Sequence, residues 1–329
     1  MAAIDFEAEP VFSHVSVMLG EVLAALEPAR GGVFVDATAG GAGHSAALLA
    51  ASPNVRLIAC DRDPLAVRTA RSRLAQYGER ALVLHASFDQ IPERLAEAGI
   101  TQIDGLLADL GLSSQQLADA ERGMSFRSSG PLDMRMDPTR GETALELIER
   151  LSQDELANVI YELGEERRSR RVARCIKQAL AAGELRDTLE LRRAVVRAVG
   201  PRRLGGVDPA TKTFQALRIA VNGELDQLSA LLDFAKTILA PGGIAAIISF
   251  HSLEDRLVKR AFLDRAAWQR LEKKPVLAGE HELSENPRAR SAKLRAARRI
   301  DGEPSSGPMR DSEPPSDPEP VSDWDEDAQ

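Results

Sequence analysis

The stretch VFVDATAGGAGHSAALLAASPNVRLIACD, residues 33–61, decides the fold of this chain. It begins with an apolar run at 33–38, passes through a glycine-rich turn into a segment with helical spacing, and ends in a second apolar run at 55–60, before Asp61. Continuous apolar runs of this length are typical of strands buried on both faces, as in a parallel sheet. The stretch therefore predicts a strand–helix–strand unit with its glycine turn at the carboxyl end of the first strand.

Three further apolar runs extend this unit into a larger sheet. They lie at residues 81–85, 103–109 and 244–250, and segments with helical periodicity separate the first four runs. Asp63 and Pro64 open one of these segments as an N-cap and a proline at the first helical position. The alternation predicts an α/β fold with a doubly wound, mostly parallel sheet.

The fourth and fifth predicted strands are about 135 residues apart, far more than a one-helix crossover needs. A helix at about 222–239 suffices for that crossover. We therefore expect residues 113–221 to be an inserted all-helical domain, and residues 1–112 and 222–300 to form one discontinuous sheet domain.

Several helices of this scheme have sequence signals of their own. Capping boxes at Ser152–Glu155 and Ser252–Asp255 each predict the start of a helix. Further helices are expected at 165–182 and 188–199. The pattern of residues 292–300 fits an edge strand or a helix equally well.

Charge is distributed unevenly along the 329 residues, whose net charge is -8. Residues 167–218 contain fourteen Lys and Arg against four Asp and Glu, and residues 286–300 contain six basic residues and no acidic one. This asymmetry indicates a polyanionic partner. Residues 301–329 contain ten acidic residues and one arginine among many prolines and serines, so we predict a disordered acidic tail there.

Composition also excludes several classes of protein. Two cysteines, Cys60 and Cys175, are too few for a disulfide scaffold, and no apolar run approaches the roughly 20 residues that span a bilayer. The first ten residues lack the apolar core of a signal peptide. We therefore expect a cytoplasmic protein with no membrane partner. No two histidines have metal-ligand spacing, so no metal site is expected.

The candidate ligand site lies beyond the carboxyl ends of the strands, where open α/β sheets bind their ligands. The glycine turn, Asp61, Asp109 and His251 each follow a predicted strand and should meet there. An acid in the place of Asp61 can accept the ribose hydroxyls of a nucleoside, and the helix after the glycine turn directs N–H groups toward it. A Ser-His-Asp hydrolase is disfavoured because the nucleophile elbow G-x-S-x-G is absent.

These residues leave more than one function open. Gly41-x-Gly43-x-x-Ala46 also fits a dinucleotide fingerprint, which would make the chain an NAD-dependent oxidoreductase. The basic insertion alone fits a non-catalytic RNA-binding module. The first alternative does not explain the basic insertion, and the second does not explain the acids and histidine directed at one crevice.

Nine motifs within residues 12–300 together resemble one known family. They are HVSVML (14–19), DATAGGAGHS (36–45), DRDP (61–64), DLGLSS (109–114), DAERGMSF (119–126), GPLDMRMD (130–137), TFQALR (213–218), SFHSLED (249–255) and NPRARS (286–291). The chain resembles the ribosomal RNA small subunit methyltransferase H family. Its members use S-adenosylmethionine to methylate N4 of a cytosine in 16S ribosomal RNA at the decoding centre.

The resemblance implies a Rossmann-like fold of the class I S-adenosylmethionine-dependent methyltransferases, and it implies cofactor contacts at defined positions. Asp61 would hold the ribose and Phe88 would lie against the adenine. The full implied set is Ala42, Gly43, His44, Asp61, Phe88, Asp109 and Gln116. At Ala42 many family members have a glycine instead.

The same resemblance gives expectations for the substrate, 16S ribosomal RNA or the small ribosomal subunit. Asp109 is our candidate catalytic residue, because a carboxylate that accepts hydrogen bonds from the target amine can turn the nitrogen lone pair toward the methyl group. His251 and Glu254 are the alternates at the same crevice, and both are expected to bind the substrate. Arg135 and the helical cluster that contains Arg167 and Arg171 are expected to contact RNA.

Overall fold

The structure is a computed structural model, and it describes residues 16–201 and 207–300. The acidic tail predicted at 301–329 lies outside the described residues, as do the first two residues of the HVSVML motif.

One mixed seven-stranded sheet forms the centre of the molecule, with the strand order β3-β2-β1-β4-β5-β7-β6. The first five strands are parallel, and β7 is antiparallel to both of its neighbours. The strands are β1 (Gly32–Asp36), β2 (Val55–Asp61), β3 (Ala81–His85), β4 (Ile103–Asp109), β5 (Leu239–Ser249), β6 (Trp268–Arg270) and β7 (Lys293–Arg299). The predicted doubly wound, mostly parallel sheet is confirmed.

Helices join the strands and cover the sheet. They are α1 (Leu19–Leu26), α2 (Gly43–Ala51), α3 (Pro64–Leu74), α4 (Ile91–Glu97), α5 (Ser114–Ala118), α6 (Ala144–Arg150), α7 (Gln153–Gly164), α8 (Ser169–Ala181), α9 (Thr188–Val199), α10 (Thr211–Asn222), α11 (Glu224–Ile238), α12 (Ser252–Ala261) and α13 (Glu280–Glu285). Short 3₁₀ turns at Phe88–Gln90, Ala120–Arg122 and Pro287–Ser291 adjoin the site described below. Within the described residues, no helix is long and apolar enough to cross a membrane.

Two hydrophobic clusters hold these helices on opposite faces of the sheet. One cluster joins α4, α11 and α12 to the strands through residues such as Leu95, Leu231 and Val258. The other joins α1, α2 and α3 to the opposite face through residues such as Leu26 and Leu48. The strand residues between them are buried on both sides, which is why their sequences are continuous apolar runs.

The helices α6 to α10 surround a third cluster, built from residues between Met124 and Leu217. Phe126 and Phe214 meet there edge to face, with ring centroids 5.1 Å apart. At the end of α7, the Glu165 carboxylate accepts hydrogen bonds from Ser252 and Arg256 at the start of α12, at 2.7 and 3.1 Å. These contacts connect the helical segment to the carboxyl end of β5.

Several predicted boundaries were wrong by a few residues. The helix expected at 165–182 begins only at Ser169, because Glu165 has the left-handed φ of 50° that ends α7. The first strand ends at Asp36 rather than at residue 38. Residues 293–299, which the pattern left undecided, pair with β5 as a strand.

Candidate active site

A cavity of about 810 Å³ lies at the carboxyl ends of β1, β2, β4 and β5. The connections after the adjacent strands β1 and β4 lead away in different directions, and such a switch point is where open α/β sheets bind ligands. Eight of the predicted site residues line this cavity: Gly43, His44, Asp61, Phe88, Asp109, Gln116, His251 and Glu254. Ala42, Arg135, Arg167 and Arg171 do not line it.

Asp61 fixes the shape of the glycine turn. Its Oδ2 accepts a hydrogen bond from Gly40 N–H and its Oδ1 accepts one from Asp63 N–H, both at 2.8 Å. Gly40 has a φ of 50°, a left-handed conformation that glycine adopts without a Cβ penalty. Burial raises the pKa of Asp61 to about 6, although these two hydrogen bonds oppose the shift. Each carboxylate oxygen still has a second lone pair for a ligand hydroxyl.

The next two residues of the turn have different roles. Ala42 has a φ of 56° and its side chain is fully buried beside α2. At Gly43 the side chain of Ser16 comes close to the backbone. A Cβ at position 43 would lie 2.0 Å from Ser16 Oγ, so Ser16 would have to move. Ala42 itself does not line the cavity, and its buried side chain belongs to the hydrophobic cluster that holds α1, α2 and α3 against the sheet.

A chain of hydrogen bonds ties the end of β1 to the end of β4. Asp36 accepts hydrogen bonds from Ser45 Oγ at 2.6 Å and from Thr38 N–H at 3.1 Å. Thr38 Oγ1 in turn accepts one from Asp109 N–H at 2.7 Å. Burial raises the pKa of Asp36, which these hydrogen bonds partly oppose. The backbone of Asp109 is thereby held at a fixed distance from the glycine turn.

Asp109 and His44 form a buried pair at the floor of the cavity. His44 Nε2 lies 2.9 Å from the carbonyl oxygen of Val17, so the neutral ring carries its proton there and leaves the Nδ1 lone pair free. Nδ1 faces Asp109 Oδ2 at 3.8 Å. Burial lowers the pKa of His44. Burial, with the charges of Asp36, Glu254 and Glu282, raises the pKa of Asp109 well above its usual range.

The other carboxylate oxygen of Asp109 is unusual. Asp109 Oδ1 is buried and has no hydrogen-bond partner among residues 16–201 and 207–300. A buried acceptor without a partner is energetically costly, so such an atom at a cavity wall indicates a site for a donor from a ligand. Asp109 does not cap α5, because Ser113 occupies that position.

Gln116 is oriented by two contacts. Its Oε1 accepts from Ser113 N–H at 3.0 Å in the capping box of α5, and its Nε2 donates to Asp63 Oδ2, also at 3.0 Å. Asp63 in addition forms a buried ion pair with Arg122. The sequence analysis assigned no role to Arg122, although it lies within the motif DAERGMSF. Phe88 is half-buried and begins the 3₁₀ turn after β3.

His251 and Glu254 build the start of α12. His251 is the N-cap, and its Nδ1 faces Glu254 N–H at 3.4 Å. Glu254 Oε2 accepts from Phe250 N–H at 2.8 Å, and Oε1 lies 3.1 Å from His251 Nε2. Burial alone would raise the pKa of Glu254, but His251 and Arg218 lower it. The capping box predicted at Ser252–Asp255 is thus shifted by one residue.

Arg218 and Glu224 also line the cavity, and sequence reasoning gave them no role there. They form a buried bidentate ion pair with two contacts of 2.7 Å. Glu224, His251 and Glu254 place ligand atoms within 4.8 Å of one another, which could hold a metal ion. Histidine spacing in the sequence gives no sign of this set, because two of its three members are glutamates. Each member already has a partner within the chain. Glu224 pairs with Arg218, and His251 and Glu254 pair with each other.

Of the five residues predicted to bind the substrate, His251 and Glu254 line the cavity, whereas the three arginines do not. Arg135 makes two 2.8 Å contacts with the carboxylate of Asp133, so its guanidinium is engaged locally. Arg167 lies just before α8 and Arg171 lies on it, and both are exposed. Arg170, from the same cluster, pairs with Asp154 at 3.0 Å.

The sheet order, with β7 antiparallel between β5 and β6, is that of a class I S-adenosylmethionine-dependent methyltransferase. The glycine turn after β1 and the acid at the end of β2 occupy the nucleoside-binding places of that fold. The family model of the MraW methylase family matches residues 11–300, and the chain belongs to this family. It is an RNA methyltransferase, and the alternatives of an NAD-dependent oxidoreductase and a non-catalytic binding module were wrong.

Curated relatives agree with this assignment. A protein of Sorangium cellulosum named ribosomal RNA small subunit methyltransferase H is 66% identical over 289 residues, which cover 88% of this chain and 91% of the relative. Proteins of the same name from Synechococcus elongatus and Prochlorococcus marinus are 49% and 52% identical. Those two alignments each cover 88% of this chain, and 95% and 94% of the respective relatives.

Proposed function

We propose that this chain transfers the methyl group of S-adenosylmethionine to N4 of a cytosine in 16S ribosomal RNA at the decoding centre. Membership of the MraW methylase family and the name of the curated relatives support methylation of small-subunit ribosomal RNA. The observation that carries the choice of an amine acceptor is that Asp109 lines the cavity and that its buried Oδ1 has no partner within the described residues. An exocyclic amine supplies the N–H donor that this oxygen lacks.

The cavity fits the cofactor. Its volume of about 810 Å³ lies in the range that holds a cofactor-sized ligand. Asp61 would accept the ribose hydroxyls and Phe88 would face the adenine. Gly43 and His44 would form the wall of the cavity at the glycine turn, with Ala42 buried behind them. When bound, the cofactor supplies an electrophilic methyl group on a sulfonium, which is a good leaving group.

Asp109 then orients the acceptor. Hydrogen bonds from the cytosine amine to the Asp109 carboxylate would direct the nitrogen lone pair away from the ring and toward the methyl group. As the N–C bond forms and the S–C bond breaks, the amine loses one proton, and the carboxylate can accept it. The positive charge of the bound cofactor would favour the ionised form of Asp109. It would thereby oppose the upward shift that burial gives to the pKa of Asp109.

His44 supports Asp109 in this role. Its Nδ1 lone pair faces Asp109 Oδ2 and can accept a proton that Asp109 holds. Glu254, an alternate candidate for orienting the amine, is less suitable because its two carboxylate oxygens already face Phe250 N–H and His251 Nε2. His251 likewise caps α12. We therefore retain Asp109 as the proposed catalytic residue.

The helical segment 113–221 is proposed to be an inserted domain that binds the RNA. Its core is separate from the two clusters of the sheet. Arg171 and Arg174 on α8, and Arg167 in the turn just before it, are exposed to solvent. The target base must leave its stack to reach the buried acids, as for other enzymes that act on a base. The partner, 16S RNA or the assembled subunit, and the cytoplasmic location stay predictions.

Mass mapping of modified nucleotides in small-subunit RNA tests the proposal. RNA from a strain that lacks this gene should lose one N4-methylcytosine at the decoding centre. The wild-type gene should restore it, whereas a gene encoding Asp109→Asn should restore it poorly. An unchanged pattern of methylation in the deletion strain would overturn the proposed function.

A further inference from the structure

Two exposed arginines line the cavity in addition to the buried groups. Arg127 follows Phe126 in the helical segment, and Arg288 lies in the 3₁₀ turn Pro287–Ser291 before β7. They come from parts of the chain 161 positions apart, and both are exposed while most of the acids that line the cavity are buried or half-buried. They therefore lie at the rim of the cavity.

Neither arginine is neutralised by the protein. In the described part of the chain, no carboxylate lies within ion-pair distance of Arg127 or Arg288, and the Arg288 guanidinium donates only to Ser114 Oγ. Of the other arginines of the cavity, Arg218 pairs with Glu224, and Arg62 is half-buried and donates to the carbonyl of Asn222. The rim thus has unpaired positive charge that faces the opening.

The interior of the cavity has the opposite charge. Asp61 and Glu254 line it, and their ionised carboxylates would repel an anion that entered deeply. A base with an exocyclic amine is compatible with this interior, whereas its phosphates are compatible only with the rim. Among the described residues, Glu285 is the one exposed acid of the lining, and it lies beside His281, with His281 Nδ1 and Glu285 Oε2 3.5 Å apart.

We propose that Arg127 and Arg288 bind the backbone phosphates that flank the target nucleotide, and so hold the displaced base in the cavity. The proposal rests on the proposed function, because it requires an RNA nucleotide as the occupant. Arginine suits this task, since its planar guanidinium binds phosphate oxygens in a bidentate way. Ser114, which contacts Arg288, keeps that guanidinium near the loop after β4.

The test compares Arg127→Gln and Arg288→Gln with the wild-type enzyme in two assays. The first measures binding of 16S RNA at several salt concentrations, and the second measures methyl transfer to the same RNA. We expect each variant to raise the KM for RNA about tenfold, as for the removal of a charged hydrogen bond. The log–log salt slope of binding should become shallower by about 0.7 for each phosphate that is no longer bound. The KM for S-adenosylmethionine should not change.

Arg290→Gln is the matched control, because Arg290 is exposed on the same 3₁₀ turn but does not line the cavity. Arg288→Lys should restore part of the affinity, which a merely structural role in contacting Ser114 would not predict. If Arg288→Gln changes the salt slope no more than Arg290→Gln does, the proposal is wrong. Failure of the wild-type enzyme to methylate a cytosine would instead overturn the proposed function, while the binding assay would still test the arginines.

Discussion

Asp63 and Arg122 form a buried ion pair that joins the start of α3, beside the sheet, to the 3₁₀ turn Ala120–Arg122. Their side chains are only 3% and 11% exposed. The same Asp63 carboxylate caps α3 by accepting from Leu65 N–H at 2.9 Å, and it orients Gln116. One side chain therefore fixes a helix start, a proposed cofactor residue and the base of the proposed RNA-binding segment.

The first prediction concerns the stability of this ion pair. Arg122→Ala should lower the free energy of unfolding by about 3–5 kcal/mol, because it leaves the Asp63 charge buried without its cationic partner. Urea unfolding followed by circular dichroism measures this change. Arg170→Ala is the control, since it breaks the exposed pair with Asp154 and should cost less than about 1 kcal/mol. Similar losses in the two variants would show that Asp63 is not effectively buried.

The five parallel strands could be predicted from the sequence because burial on both faces leaves a continuous apolar run. The antiparallel strand β7 could not, since its residues KLRAARR give no clear period and only pairing with β5 selects a strand. The strand β6 has three residues, too few for any pattern.

The candidate site was predictable where a polar residue stands at the end of a strand, as Asp61 and Asp109 do. Contacts between distant residues were not predictable in this way. Asp63 and Arg122 are 59 positions apart, and no local spacing links them. The start of α12 was placed one residue late because histidine is not among the usual N-cap residues. In the structure, the ring nitrogen of His251 faces the backbone N–H of Glu254, as the side chain of a usual N-cap residue would.

The second prediction tests Asp61 as the ribose acceptor. Asp61→Ala should weaken S-adenosylmethionine binding by roughly 1.5–3 kcal/mol, because hydrogen bonds to a charged acceptor are lost and Gly40 N–H loses its partner. Isothermal titration calorimetry gives this difference directly. As a control, Asp104→Ala removes a carboxylate that accepts from Val33 N–H at the opposite end of the sheet, and it should leave the affinity unchanged. Unchanged affinity in Asp61→Ala would remove Asp61 from the site.

The third prediction is a pH dependence of cofactor binding. The pKa of Asp61 is raised to about 6 by burial, so the empty site takes up a proton as the pH falls through 6. Ribose hydroxyls donate to the ionised form, so binding should release this proton. The Kd for S-adenosylmethionine should therefore be lowest above pH 6 and rise below it, approaching tenfold per pH unit.

Calorimetry between pH 5 and pH 8, in buffers of different ionisation enthalpy, measures both the affinity and the proton release. The Asp61→Asn variant cannot ionise at this position, so it should lack the component near pH 6. If the variant keeps that component, another group of the cavity is responsible, and Asp109 is then the first candidate.

The fourth prediction tests the exposed arginines of α8 as an RNA surface. Within the described residues, no ion-pair partner lies near Arg167, Arg171 or Arg174, whereas Arg168 donates to the carbonyl of Val199. Unpaired like charges destabilise a compact surface unless a polyanion neutralises them. Reversing Arg167 and Arg171 to Glu should raise the KM for 16S RNA. It should also flatten the log–log salt slope by about 0.7 for each phosphate that the variant no longer binds, the value typical of single strands.

Arg56→Glu with Arg68→Glu is the charge-matched control for this variant, because both residues are exposed on the sheet domain, on β2 and α3. The control should slightly weaken the nonspecific attraction between the protein and the RNA. It should leave the KM for RNA within about twofold of wild type, since long-range effects of exposed charges are screened by salt. The affinity for S-adenosylmethionine should stay unchanged in both variants. If the α8 variant and the control have the same salt slope, the RNA does not contact α8. The rim arginines Arg127 and Arg288, which line the cavity, would then be the surface to test next.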